Sequence, residues 1–120
     1  MAQNEIGQKT FENCINLSTV NLFDVYAIND DAFKNCSSLK VANLPANVSA
    51  VNDNAYEGCT SLKTFTSSNR LKAIGNKAFF NDKSLIFFSK MKYSSDPAAG
   101  TKAEQSLKTV GEYAFANTGL

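Results

Sequence analysis

The chain has no histidine. The side chain most used for proton transfer near neutral pH, and the commonest nitrogen ligand for a metal, is therefore missing. Cysteine is scarce: Cys14, Cys36 and Cys59 are an odd number, and no two stand at Cys-x-x-Cys spacing. That argues against a closed disulfide framework and against a zinc site. Charge of one sign is also missing. Twelve basic residues face 11 acidic ones for a net +1, which gives no electrostatic case for nucleic acid or an anionic membrane surface. No apolar stretch approaches the roughly 18 residues of a membrane span. The first 20 residues lack a basic segment followed by an apolar one, so the chain carries no secretory signal of its own. These absences leave no nucleophile, base or metal with convergent partners. We expect no enzymatic activity, no cofactor, no nucleic-acid partner and no membrane insertion by this chain.

What is present is repetition. Ala32-Phe33-Lys34-Asn35-Cys36-Ser37-Ser38-Leu39 recurs as Thr10-Phe11-Glu12-Asn13-Cys14-Ile15-Asn16-Leu17 and as Ala55-Tyr56-Glu57-Gly58-Cys59-Thr60-Ser61-Leu62. It returns as Ala78-Phe79-Phe80-Asn81-Asp82-Lys83-Ser84-Leu85 and, one residue shorter, as Ala114-Phe115-Ala116-Asn117-Thr118-Gly119-Leu120. The aromatics step by 22, 23, 23 and 36 residues, the last being one period plus 13. A fixed period in this range marks a solenoid, whose units bury their apolar faces only against one another. We read one domain over 1–120 with about five repeats, starting near 6, 28, 51, 74 and 110. An insertion at 91–106 lies within the fourth.

Each repeat opens with Ile or Val followed by Gly or Asn, residues that tolerate positive φ, so a turn is expected there. The small-aromatic pair then reads as one turn of α- or 3₁₀-helix. Phe11, Phe33, Tyr56, Phe79 and Phe115 should form an internal aromatic column. The Cys14, Cys36, Cys59, Asp82, Thr118 column calls for a small side chain that hydrogen-bonds locally or packs in a tight turn. After it comes Leu-x-x-apolar-x-Leu, as in Leu17-x-x-Val20-x-Leu22 and Leu39-x-x-Ala42-x-Leu44. Its alternation has the period of a half-buried strand, paired in parallel with the same strand of the next repeat. In the third and fourth copies Ser67 and Lys90 replace the last apolar residue, so the sheet should loosen there. Val25 with Ile28, Val48 with Val51, Leu71 with Ile74 and Leu107 with Val110 supply the opposite wall.

These residues carry a resemblance. Leu-x-x-Val-x-Leu at this period, with Ala-Phe-x-Asn-Cys-x-x-Leu and Leu-Pro, resembles the BspA-like, or Treponema-type, leucine-rich repeats of surface proteins. The resemblance implies an α/β repeat solenoid: a right-handed horseshoe segment with short parallel strands on its concave face and short helical or 3₁₀ turns. It also implies a cell-surface or secreted, adhesin-like protein whose partner is a protein, with host extracellular-matrix and cell-surface proteins as candidates.

On the concave strands the residues between the inward ones should face solvent. They are Thr19, Asn21, Val41, Asn43, Thr64, Thr66, Phe87 and Ser89, the candidate protein-binding face. Phe87 either anchors a partner or tucks against the insertion. Lys40, Lys63 and Lys108 read as a solvated edge. The alternative is a structural spacer, or a unit that assembles end to end through uncapped faces.

Overall fold

A computed structural model describes residues 5–45, 47–67, 70–90 and 107–120. For Phe87, Ser89 and Lys90 it describes the backbone alone. The insertion at 91–106 lies outside the described residues.

Among the described residues eight strands appear: β1 (Glu5–Ile6), β2 (Ala27–Ile28), β3 (Val41–Asn43), β4 (Ala50–Val51), β5 (Thr64–Ser67), β6 (Ala73–Ile74), β7 (Phe87–Lys90) and β8 (Thr109–Val110). They form two parallel sheets, of order β1-β2-β4-β6-β8 and β3-β5-β7. Among the described residues each of the five repeats gives one strand to the first sheet, and the second, third and fourth give one each to the second. Sequence reasoning expects the second sheet. It misses the first, whose strands are two residues long and pair one period apart, Ala27 with Ala50 and Ala50 with Ala73. What reads as a β-branched residue before a turn is the end of a strand.

Between the two sheets runs a wall of turns, and among the described residues none of it is helical. The expected helical turns are replaced by alternation. The amides of Ala32, Lys34 and Cys36 close back three residues, onto the carbonyls of Asn29, Asp31 and Phe33. The amides between and after them leave the turn for the next repeat, Phe33 to Ala55 O at 2.7 Å and Asn35 to Glu57 O at 2.7 Å, with Asp31 reaching Asp53 O at 3.0 Å. The same three bonds join the other repeats, beginning at Lys9, Phe11 and Asn13, at Asn54, Tyr56 and Gly58, and at Lys77, Phe79 and Asn81. A helix would keep these amides inside one turn. Two left-handed residues per repeat prevent it: Lys9 and Asn13, Asp31 and Asn35, Asn54 and Gly58, Lys77 and Asn81, Tyr113 and Asn117, with φ from 56 to 76°.

Asn, Asp and Gly accept this conformation at little cost; Lys9, Lys77 and Tyr113 do not. The positive φ therefore falls two residues after the Gly or Asn that the sequence singles out. Gly75 has another task. A Cβ there would lie 2.6 Å from Asn52 C and Asp53 N, so it lets two repeats approach.

The aromatic column forms as expected. Phe11, Phe33, Tyr56, Phe79 and Phe115 stack in that order at 5.1–5.5 Å between centroids, with interplanar angles of 1–12°. Phe65 and Phe88 form a second, shorter stack at 5.1 Å. Phe65 meets Tyr56 and Phe79 edge-on, and Phe88 meets Phe79 and Phe115. Edge-to-face contact sets the positive rim of one ring against the negative face of another. The buried aliphatics Val25, Ile28, Val48, Val51, Leu71 and Ile74 close the other side.

The expected loosening at Ser67 and Lys90 does not occur. β5 and β7 are the longest strands, four residues each, and Ser67 still pairs with Lys90. Ser67 is fully buried; it is small enough to enter where Leu44 stands one repeat earlier, while Phe65 and Phe88 fill the interior beside it.

Candidate functional site

The outer face of β3-β5-β7 carries four of the candidate residues, Val41, Asn43, Thr64 and Thr66. Alternation sends Ala42 and Phe65 inward and leaves Val41 and Asn43 exposed, with Thr64 and Thr66 half-buried. Parallel register then aligns Val41, Thr64 and Phe87 in one row and Asn43, Thr66 and Ser89 in the next. The side chains of Phe87 and Ser89 lie outside the described residues, so these rows are described from Val41 to Thr64 and from Asn43 to Thr66.

Thr19 and Asn21 are exposed, but they do not belong to the sheet. The first repeat was expected to give a strand over Thr19–Leu22. Instead the segment touches its neighbour at one backbone bond, Lys40 N–H to Ser18 O at 3.2 Å. Asp24, at φ 52°, bends the chain soon after Leu22. Val20 and Leu22 still pack on the core. The segment diverges from β3 and opens a groove of about 230 Å³ lined by Thr19, Val20, Asn21, Leu22, Phe23, Val41 and Asn43. Four of the eight candidate residues therefore share one concavity.

Phe23 is the residue that sequence reasoning misses. It is 79 % exposed and borders the groove with Val41 at 40 %. Tyr26, on the return to β2, is 43 % exposed. The signal was available: Phe23 follows Leu22 where Pro45 follows Leu44, and an aromatic in that turn has no core to enter.

Other polar and thiol groups among the described residues serve the structure. Cys36 Sγ donates to Phe11 O and Cys59 Sγ to Phe33 O, each at 3.1 Å. Burial pushes the Cys36 thiol up to about 11 and raises the Cys59 thiol further, the reverse of an activated nucleophile. Asp30, Asp53 and Asn76 each accept, through Oδ1, the amide of the equivalent residue one repeat on: Asp53, Asn76 and Glu112. Asn35 donates through Nδ2 to Asn13 Oδ1 at 3.0 Å, and Asn117 to Asn81 Oδ1 at 2.8 Å. Among the described residues, no three of His, Cys, Asp and Glu gather as a metal site would need. Lys34 and Glu57 form a loose surface pair at 3.8 Å.

A solenoid of 22 to 23-residue turns with a parallel ladder on one face is a leucine-rich-repeat architecture. The family model for the BspA-type leucine-rich repeat region matches residues 4–120, in six copies. The chain belongs to that family. Among solved structures it is similar to a leucine-rich repeat protein from Bacteroides ovatus ATCC 8483, with a TM-score of 0.61 and 24% identity. The match covers 92% of this chain and 29% of the other, so the chain spans less than a third of that relative's length. No curated protein matches the sequence.

Proposed function

We propose that the chain is a non-enzymatic protein-binding module of a cell-surface or secreted, adhesin-like protein. Its partner is a protein that docks on the outer face of β3-β5-β7 and reaches the groove beside β3. The observation that carries this reading is the groove itself. It joins two exposed apolar side chains, Phe23 and Val41, to hydrogen-bonding groups on Thr19, Asn21 and Asn43. Large apolar anchors ringed by polar groups are what protein interfaces favour. The ladder behind the groove holds Val41 and Asn43 in fixed register, which lowers the ordering cost of binding.

The test is binding of the purified chain to a panel of immobilised extracellular-matrix proteins, with Phe23→Ser and Thr64→Arg variants beside it. Both positions avoid the core, so both variants should fold. Binding that falls tenfold or more in either supports the reading. Binding that survives both changes places the interface elsewhere.

A second reading, end-to-end assembly, is favoured by the direction of the turn-wall bonds. Each junction runs from amides of one repeat to carbonyls of the next. The amides on one side of a turn are thus complementary to the carbonyls on the other, and the same pairing can join one copy of the chain to another. Sedimentation velocity over a concentration series separates the readings: mass that grows with concentration favours assembly, and a constant monomer favours recognition.

A further inference from the structure

The column that holds Cys14, Cys36 and Cys59 places Asp82 in the interior, fully buried. One carboxylate oxygen is accounted for. Oδ1 accepts the amide of Cys59 at 2.8 Å. Oδ2 is buried and has no hydrogen-bond partner. An ionised carboxylate with an orphaned oxygen in a sealed aromatic core is a costly arrangement.

Repeat symmetry shows what the second oxygen can do. Cys36 donates its thiol to the carbonyl of Phe11, and Cys59 donates to that of Phe33. In both cases the acceptor is the aromatic of the preceding repeat. The equivalent acceptor for position 82 is the carbonyl of Tyr56. A carboxylate cannot donate to it, whereas a carboxylic acid can.

We propose that Asp82 is held in the folded chain as the neutral acid, with its Oδ2–H donated to the Tyr56 carbonyl, so that the junction between the third and fourth repeats tightens as pH falls. One proton is taken up on folding and remains on Oδ2 while Oδ1 keeps the Cys59 amide. The surroundings agree. Burial is the largest influence and pushes the carboxyl up to about 9; the Cys59 amide and, more weakly, the Gly58 amide oppose this, and the Glu57 carboxylate adds to it. The other titratable groups coupled to this cluster are the Tyr56 hydroxyl and the Cys36 and Cys59 thiols, all raised by burial and all neutral at pH 7. Lys34 stands off, paired with Glu57. The next side chain in the column, Thr118, bonds to Phe115 O and does not titrate.

The absence of histidine makes the consequence readable. Between about pH 5.5 and 7.5, above the usual carboxylate values and below the usual thiol value, the unfolded chain has little but its terminal amine to titrate. In the unfolded chain Asp82 loses its proton near the usual carboxylate pKa of about 3.9. The stabilisation is therefore complete below about pH 4 and is lost as pH rises through the folded value of about 9.

The experiment is urea unfolding of the intact chain from about pH 5.5 to 7.5, repeated with Asp82→Asn, and a pH titration of the Asp82 carboxyl ¹³C shift in the native protein. We expect the unfolding equilibrium constant to rise roughly tenfold per pH unit, the signature of one proton. In Asp82→Asn the amide supplies the same acceptor and donor without titrating, so the slope disappears. A flat native profile, or a slope that persists in Asp82→Asn, overturns the proposal. Should the variant not fold, the carbon shift decides: an acid value through pH 7 supports the proposal, and a carboxylate value refutes it.

Discussion

Truncating Phe79 should damage the protein more than truncating any other ring. Phe79 is fully buried and touches four aromatics, stacking on Tyr56 and Phe115 and meeting Phe65 and Phe88 edge-on. Removing a buried Phe side chain costs about 3–5 kcal/mol in lost transfer energy and cavity. Stability of about 0.05–0.15 kcal/mol per residue gives a chain of this length roughly 6–18 kcal/mol in all. Phe79→Ala thus removes a large share. It also removes it at the joint between the third, fourth and fifth repeats, where the loss cannot be confined to a fraying end.

Phe11 is the internal control. It is half-buried at the end of the stack and meets one ring, Phe33. Phe11→Ala should cost about 1–2 kcal/mol, at the low end for a core truncation because the site is already partly wet. Phe79→Leu separates volume from ring geometry; losing four ring pairs worth about 0.5–1.5 kcal/mol each leaves a cost of at least about 2 kcal/mol even with most of the volume kept. Urea unfolding followed by far-ultraviolet circular dichroism measures all three. A Phe79→Ala cost no greater than that of Phe11→Ala would refute the idea that the stack unites the repeats.

Other substitutions test other joints. Gly75→Ala should cost about 1–3 kcal/mol because the new methyl meets the backbone of the third repeat. Gly7→Ala meets only the Thr10 hydroxyl, at 3.2 Å, and should be nearly neutral in the same thermal melts. Lys9→Asn should stabilise by about 0.5–1 kcal/mol in denaturant titrations, since Lys9 holds φ at 60° and Asn accepts that conformation more readily. Asp53→Ala removes the acceptor of the Asn76 amide, a bond of 2.8 Å, and should cost about 0.5–1.5 kcal/mol by chemical denaturation.

The repeat was legible because its apolar positions recur at one spacing. Phe11 to Phe115 could be placed in one column before any coordinates, and the Val41–Asn43 alternation showed which side chains face out. Other features left weaker traces. A strand of two residues, such as Ala27–Ile28, shows no alternation, and its partners are a full period away. The left-handed positions are hidden wherever Lys9, Lys77 or Tyr113 occupies them, because their side chains carry no preference for that conformation. Ser67 misled because polarity was read as exposure, whereas its small size let it be buried. Thr19–Leu22 misled in the opposite sense: its pattern is that of a strand, but a bend at Asp24 follows it. The groove follows from that departure and so was not legible, although Thr19, Asn21, Val41 and Asn43 were.

The central claim is that the wall of turns joins the repeats and gives the candidate face its rigid backing. Native-state hydrogen exchange tests it most directly. The amides of Phe33, Tyr56 and Phe79 cross three junctions, to Ala55 O, Ala78 O and Ala114 O at 2.7–2.8 Å. They should exchange only through global unfolding, at least as slowly as the amide of Phe65 in β5. If these three exchange like exposed loop amides while Phe65 stays protected, the turns are only connections between sheets, and the account is wrong.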